Sequence, residues 1–456
     1  MSAIPVERYI EVPTAFEASR PALNLFVWGA GNFGQFGAGP DDLGEKRKPK
    51  RNPWVDEKIR EGVFGKEGAG FESVTAGGLH TLLVDENGAV WSCGVNDDAA
   101  LGRKTSDVPD PADPTKMLDM DELTAWPHPI QSLVDENFRA VRVAAGDNIS
   151  AAISAEGDLR VWGSFRGNEG QLGFSSGLAH QLEPIDILSA KLAHGEKVTA
   201  VAPGANHLVV LTTSGHIFTW GAGEQGQLGR RIIERRKING TAPERILLGT
   251  KSLKAKLIGT GQYHSFAVDE DGDVWAWGLN SMGQTGTGRS RESDAEVPTP
   301  VIVKALMKKN LSKGDDEDEV VRIEGGEHHT LFLTRKGHVY ACGRADGGQL
   351  GLGEEHAALE QYKDFVDEPT RVVIPDEEED PIVLISVGSH NNLAVTRDGA
   401  LFGWGQGPQG ELGLGEEEEV FEPTVIVRRT GGAFKAVKVS CGGQHSVGLF
   451  QRKEAA

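Results

Sequence analysis

The sequence predicts an all-β fold, a seven-bladed β-propeller of four-stranded antiparallel blades. Three observations predict it. One unit recurs seven times at intervals of 57–69 residues, glycine is enriched at its turns, and the two chain ends each supply half a unit. Of 456 residues, 60 are Gly, close to twice the usual ~7%, while the apolar content is ordinary. Such an excess marks many tight turns between many short strands.

Each unit opens with G-G-x-H-[ST] and an apolar strand. This half reads "GGLHTLLVDENG" (77–88), "AGDNISAAISAEG" (145–157), "PGANHLVVLTTSG" (203–215), "GQYHSFAVDEDG" (261–272), "GGEHHTLFLTRKG" (325–337), "VGSHNNLAVTRDG" (387–399) and "GGQHSVGLF" (442–450). An x-G turn leads to a second strand ending in W-G or C-G, at Gly29, Gly94, Gly163, Gly221, Gly278, Gly343 and Gly405. The alternation reads as a half-buried hairpin with Gly supplying positive φ at its turn. A further strand follows a proline in "EPIDIL" (183–188), "PTPVIV" (298–303), "EPTRVVI" (368–374) and "EPTVIV" (422–427). Four short strands per copy, repeated sevenfold, are the blades of a propeller.

The chain enters this pattern at "NLFVWG" (24–29), a second half without a first, and leaves at "GGQHSVGLF", a first half without a second. The N-terminal strand is therefore expected to complete the last blade and close the ring, removing two exposed edges. One propeller domain is expected over 24–450, with a flexible tail over 1–23 and a short tail over 451–456.

Composition excludes several classes. Cys93, Cys342 and Cys441 are far apart and form no CxxC pair, so neither a disulfide framework nor a metal site is expected. No apolar run approaches the roughly 18 residues of a membrane span, and the N-terminus lacks a signal-peptide core. A cytosolic or nuclear protein is expected. The net charge of −20 argues against wholesale wrapping by nucleic acid. Acid concentrates in "DDEDE" (315–319) and "GEEEEVFE" (415–422), whereas "EKRKPKRNP" (45–53) and "RRIIERRK" (230–237) are basic. Such runs are ordinarily solvated loops. The first basic run, with Lys46, Arg47, Lys48, Lys50 and Arg51, also suits nuclear import or DNA contact.

"GAGNFGQFG" (29–37) and "GAGEQGQLG" (221–229) imitate a dinucleotide-binding loop. That loop requires a following helix and an acid about 20 residues on; here the pattern recurs inside strand-rich repeats. The glycines are inter-strand corners, and no cofactor is expected. P-loop, HExxH and GxSxG motifs are absent as well.

In a repeat protein the common positions build the scaffold and the departures are candidates for function. Six corners run from 29 to 37, 94 to 102, 221 to 229, 278 to 286, 343 to 351 and 405 to 413; the third, "GSFRGNEGQLG", runs from 163 to 173 and is two residues longer. Its loop must project, with Phe165 and Arg166 at the leading edge as interface anchors. The same copy has Ile149, beside Asp147, where His80, His207, His264, His329 and His445 stand in others. Those histidines are expected to bond the neighbouring blade's backbone. His328 precedes His329, off that register, and is expected to face a partner or solvent.

With "NDDAALGRKTS" (96–106), "GAGEQGQLGR" (221–230) and "GRADGGQLGLGE" (343–354), these segments resemble the regulator of chromosome condensation family across 24–450. The resemblance implies a guanine-nucleotide exchange factor for the Ran GTPase, without covalent chemistry. One face would bind Ran and the other would bind nucleosomes, histones and DNA, in a nuclear, chromatin-associated monomer. It implies a GTPase-binding wedge of Phe165, Arg166, Gly167, Asn168, Glu169, Gly170, Gln171 and Leu172, and places exchange residues at Asp147, Asn206 and His328. It also implies a histone-contacting loop with Arg235, Arg236 and Lys237. Two departures stand out: Asn206 replaces the family's acid, and the family's basic N-terminal tail is missing. The alternative from another class is a propeller scaffold that binds a protein without exchange. A light sensor would need a dense tryptophan pocket, whereas most of the nine tryptophans sit singly at blade corners.

Overall fold

Each repeat folds into an antiparallel sheet whose second strand is buried on both sides. We describe the chain from a computed structural model covering residues 9–174, 177–249, 253–288, 295–312 and 316–453, without the side chains of 234–237. The strands His80–Asp85, Ile149–Ser154, His207–Thr212, His264–Asp269, His329–Thr334 and Asn391–Thr396 are buried at every position. The expected half-buried alternation is thus corrected for this strand. Its sheet is covered on both faces by neighbouring sheets, which removes the polar-out requirement.

Among the described residues there are five four-stranded sheets and one of eight strands. The eight-stranded sheet is two four-stranded groups that meet at a single parallel bridge, Thr260 to Glu324. Each group carries one W/C-G glycine, and we number the groups by it. In the third the order is Gln181–Ile185, Leu159–Gly163, Ile149–Ser154, Ala140–Ala145. In the first, Asn24–Gly29 pairs with the final strand, Asn24 opposite Phe450 and Gly29 opposite His445. The strands expected after the prolines form, but begin before them and run through them, at Gln181–Ile185, Glu296–Ile302, Phe365–Val372 and Glu419–Val427; each lies at a sheet edge or end, where a missing N–H is tolerated.

Gly163 shows why the strand-end residue is glycine. Its φ is +103°, and a Cβ there would lie 2.1 Å from the Asn148 carbonyl oxygen. No side chain fits.

The repeated histidines tie each sheet to the next, but their partners are side chains rather than the expected backbone. His80, His207 and His264 Nε2 lie 2.9, 2.7 and 2.6 Å from the hydroxyls of Ser150, Ser265 and Thr330. His329 Nε2 lies 2.9 Å from Asn392 Oδ1, and His445 Nε2 lies 2.8 Å from Thr81 Oγ1, linking the last first-half to the earliest. Each partner then donates to a corner carbonyl: Ala100, Gln227, Gln284, Gln349 and Gln35 respectively. With its own hydrogen committed to the carbonyl, each hydroxyl accepts from the imidazole. Burial holds these rings neutral, with pKa lowered to about 4 at His80 and His329 and about 3 at His207 and His445.

The N-terminal segment, expected as a tail, touches the sheets at particular residues from Tyr9 onward. The Tyr9 and Ile10 amides donate to the Thr213 carbonyl. Phe16 lies under Arg142 and Lys438, and Ser19 bonds the Glu72 carboxylate through its amide and hydroxyl.

Candidate functional site

The third corner folds as a β-hairpin, Phe165–Gly167 against Gly170–Gly173, where the other corners turn tightly. A regular corner such as the fourth closes by amide bonds from Gly226 to the Gly223 carbonyl and from Gly229 to that of Gly226. Two added residues convert this double turn into paired strands with Asn168 and Glu169 at the tip. Arg166, Asn168, Glu169, Gly170 and Gln171 are exposed, whereas Gly167 and Leu172 are half-buried.

Phe165 corrects an expectation. It is fully buried, stacked on Phe174 at 6.2 Å, in a cluster with Leu208 and Trp220. Following the buried Ser164 at the hairpin base, its ring turns into the seam between the third and fourth sheets. It is the root of the hairpin, not a contact surface.

Neighbouring sheets hold what projects. The Arg166 amide donates to Asn206 Oδ1 at 2.8 Å, and the Asn168 amide donates to Glu224 Oε2 at 2.6 Å. Arg166 Nε and Nη2 donate to Asp98 Oδ2 at 2.8 and 2.5 Å. Asn206 keeps the acceptor an acid would supply and uses it to position the hairpin. Asp147 is half-buried, its amide bonded to the Ala205 carbonyl. Burial raises its carboxyl pKa, Arg166 opposes that shift, and Glu327 adds to it.

Residues 24–448 match the RCC1-like domain. The chain belongs to that family. Guanine nucleotide exchange factor SRM1 of Saccharomyces cerevisiae is 33% identical to it, over 93% of this chain and 86% of that one. Human regulator of chromosome condensation is 31% identical over 99% and 96% of the two chains. The crystal structure of S. cerevisiae Prp20p, described with its binding properties to Gsp1p and histones, superposes with a TM-score of 0.79 at 31% identity. That likeness covers 96% of this chain and 94% of Prp20p.

Within this RCC1-like domain, Asp147 and Asn206 flank the hairpin, and His328 belongs to a separate cluster on the same loop set. A cavity of about 80 Å³ is lined by the loops that precede the second strands, Asp147, Ala205 and Gln262 among them, from all seven sheets. A second cavity of about 410 Å³, lined by the first strands of all seven, lies beneath it. His328 Nδ1 accepts from Gln284 Nε2 at 3.3 Å, leaving Nε2 to carry the proton that faces Glu327 Oε1 at 3.6 Å. Glu327 Oε2 is 3.3 Å from His390 Nε2. Burial lowers the His328 pKa, and Glu327 partly offsets it. Tyr263 bridges the two groups electrostatically: burial raises its pKa first, then Asp147 and Glu327.

The basic run 46–51 is a folded edge strand, Lys46–Arg51, in the first sheet. Asp42 lies 2.9 Å from Lys46 and 3.8 Å from Lys50. Glu45, Glu416 and Glu418 surround Arg47, and Asp56 lies 2.5 Å from Arg51. Charge and Pro49 on an edge strand guard it against pairing with another chain. Lys48 and Lys50 remain exposed. Arg235, Arg236 and Lys237 fall in the 3-10 helix Glu234–Thr241, but their side chains lie outside the described residues.

Asp98, Glu224, Glu327 and His390 were not singled out from the sequence. A signal existed for Asp98, because "NDDAALG" lacks the glycine and glutamine of its sister corners.

Proposed function

We propose that this chain is a guanine-nucleotide exchange factor for the Ran GTPase, acting at chromatin in the nucleus as a monomer. The observation that carries the reading is the projecting hairpin at 165–173, the one corner of seven built to reach outward. The exchange-factor name of SRM1 and the Gsp1p and histone binding of Prp20p support it. We read the seven four-stranded groups as blades of one closed ring over 24–450. Pairing of Asn24–Gly29 with the last strand, the His445–Thr81 bond and the two cavities lined by all seven groups support that reading.

A GTPase grips its nucleotide through a phosphate loop and Mg²⁺ held in fixed geometry. A partner that prefers the nucleotide-free form must, by reciprocity, weaken nucleotide binding. Residues 166–172 are the wedge that competes for the phosphate-side loops, with Asp147, Asn206 and His328 on the docking face. Neither a covalent step nor a catalytic acid or base is required. Direction follows the nucleotide pool, not this protein.

Stopped-flow release of a fluorescent GDP from purified Ran tests the reading directly. Acceleration by the chain is expected; binding to Ran without acceleration would make it a scaffold instead. The chromatin contact is assigned to Arg235, Arg236 and Lys237, residue types suited to carboxylate capture. Lys48 and Lys50 are left for import or DNA contact. Replacing Arg235, Arg236 and Lys237 with Ala should weaken nucleosome binding and leave exchange on free Ran intact. Unchanged nucleosome affinity at physiological salt would remove that assignment.

A further inference from the structure

The second corner departs from the scaffold at the point where it meets the hairpin. In five other corners a Gln or Glu side chain caps the amide two residues before it: Gln35 on Phe33, Gln227 on Gln225, Gln284 on Met282, Gln349 on Gly347 and Glu411 on Gln409. The second corner has Ala100 in that place. It also has Ala99, at φ +64°, where those corners put a glycine. A left-handed alanine is strained, and strain of this kind persists where the surroundings demand it.

The residue beside these two departures is Asp98. Its side chain is only 8% exposed, and its Oδ2 accepts both Nε and Nη2 of Arg166, the first exposed residue of the hairpin. The usual tie between sheets is missing from the seam between the third and fourth sheets. Ile149 and Leu208 replace histidine and hydroxyl, and Trp220 Nε1 has no acceptor among the described residues, a lack it shares with Trp404, whereas Trp28, Trp162 and Trp277 donate to corner carbonyls. Asn206 and Glu224 hold the hairpin from the fourth sheet, and Asp98 holds it from the second.

We infer that Asp98 is a positioning residue for exchange, which orients the hairpin through Arg166 from the side opposite Asn206 and Glu224. The inference rests on the exchange reading above. Without Asp98 the hairpin keeps its own cross-strand pairs but samples a wider range of directions. Small misplacements of a group that acts by position cost rate more than binding.

The test has two arms. In the free protein, amide hydrogen exchange over 166–172 is compared between wild type and Asp98→Ala, with Asp98→Glu as the conservative rescue. This arm needs no GTPase, so it stands even if the chain fails to release nucleotide. In the second arm, Asp98→Ala is expected to lower kcat for GDP release from Ran about tenfold, with KM within about twofold and Tm unchanged. Asp98→Glu should recover most of the rate. Asp98→Ala in an Arg166→Ala background should cost little further, because the two act as one unit. Unchanged hairpin protection in Asp98→Ala overturns the inference. So does a loosened hairpin that leaves kcat at the wild-type value, or additive losses in the double variant.

Discussion

The seam between the fourth and fifth sheets and the seam between the third and fourth are built on one plan with opposite chemistry. In the former, His207 meets Ser265, and Ser265 and Trp277 both donate to the Gln227 carbonyl of the intervening corner. In the latter, Ile149 meets Leu208, and the corner has opened into the hairpin. Where the double turn has become a hairpin neither donor reaches such a carbonyl: Leu208 has no hydroxyl, and Trp220 Nε1 has no acceptor among the described residues. Once that acceptor is gone, a buried hydroxyl would cost more than it contributes, so an apolar pair fits better. On this account the hairpin and the loss of the histidine–hydroxyl pair are one event, which the last test below decides.

The sharpest way to break this comparison is to undo the hairpin. Replacing residues 163–173 with "GAGEQGQLG" should restore a regular corner and return an acceptor to Trp220 Nε1. Nucleotide release from Ran should fall about a hundredfold or more, as when a group acting only by position is removed. Binding should fall less, because the rest of the face remains. Stability should hold or rise, since loop closure costs slightly less and a buried donor gains a partner. A folded variant that releases nucleotide at the wild-type rate would leave the extra residues without a role.

Next in size is the contrast between adjacent histidines. His329 is 1% exposed and tied to Asn392; His328 is half-buried beside Glu327 and Gln284. His329→Ala should cost about 1–3 kcal/mol of stability, the usual price of orphaning a buried polar partner, with exchange preserved. His328→Ala should slow exchange and barely move Tm. Thermal melts and release rates on the two variants decide it, and a reversed pattern would show that the register is misassigned.

These two residues also show what the sequence made legible. The buried register was readable because it recurs at five of seven copies, and the hairpin was readable because its corner is two residues too long. The histidines' side-chain partners were not, because Ser150 lies 70 residues from His80 and only the stacking of sheets brings them together. Phe165 was misread for a related reason: an aromatic at a loop base can face either way, and the Phe174 and Trp220 that capture it come from elsewhere in the chain. Asp98 is 68 residues from Arg166 and sits in a different sheet. Its corner advertised a departure without saying toward what.

A third test reads the seams through pH. The neutral rings of His80, His207, His329 and His445 have folded pKa values near 3–4, against about 6.5 when unfolded. The unfolded chain therefore binds more protons between these values. Stability contributed by each ring is complete above about pH 6.5 and is lost as pH falls toward 4, by roughly 1.4 kcal/mol per pH unit per ring. Denaturant melts should show little change from pH 7.5 to 6.5 and approach this slope from 6.5 to 5.5, and His207→Gln should remove about one ring's share of it. A seam with Ile149 and Leu208 contributes no such term, so Ile149→Val should leave the slope alone. An identical slope in wild type and His207→Gln would rule out proton uptake at this seam.

The smallest effect is the most specific to the comparison. Ile149→His with Leu208→Ser writes the regular tie into the odd seam. In the wild-type chain it should destabilise by about 1–3 kcal/mol, because the serine is buried without the corner carbonyl to receive its hydrogen. In the chain with the shortened corner that carbonyl is back. There the double substitution should be nearly neutral, within about 1 kcal/mol, the net value of an ordinary buried hydrogen bond set against the lost apolar packing. The quantity of interest is the difference between the two backgrounds, measured by denaturant melts as a double-mutant cycle with the corner as one mutation. A cycle that closes, with equal costs in both chains, would mean that the apolar pair and the hairpin arose independently. A coupling of about 1 kcal/mol or more would tie them together, because the gain at Trp220 Nε1, which stands opposite Leu208, is common to both shortened chains and cancels in the cycle.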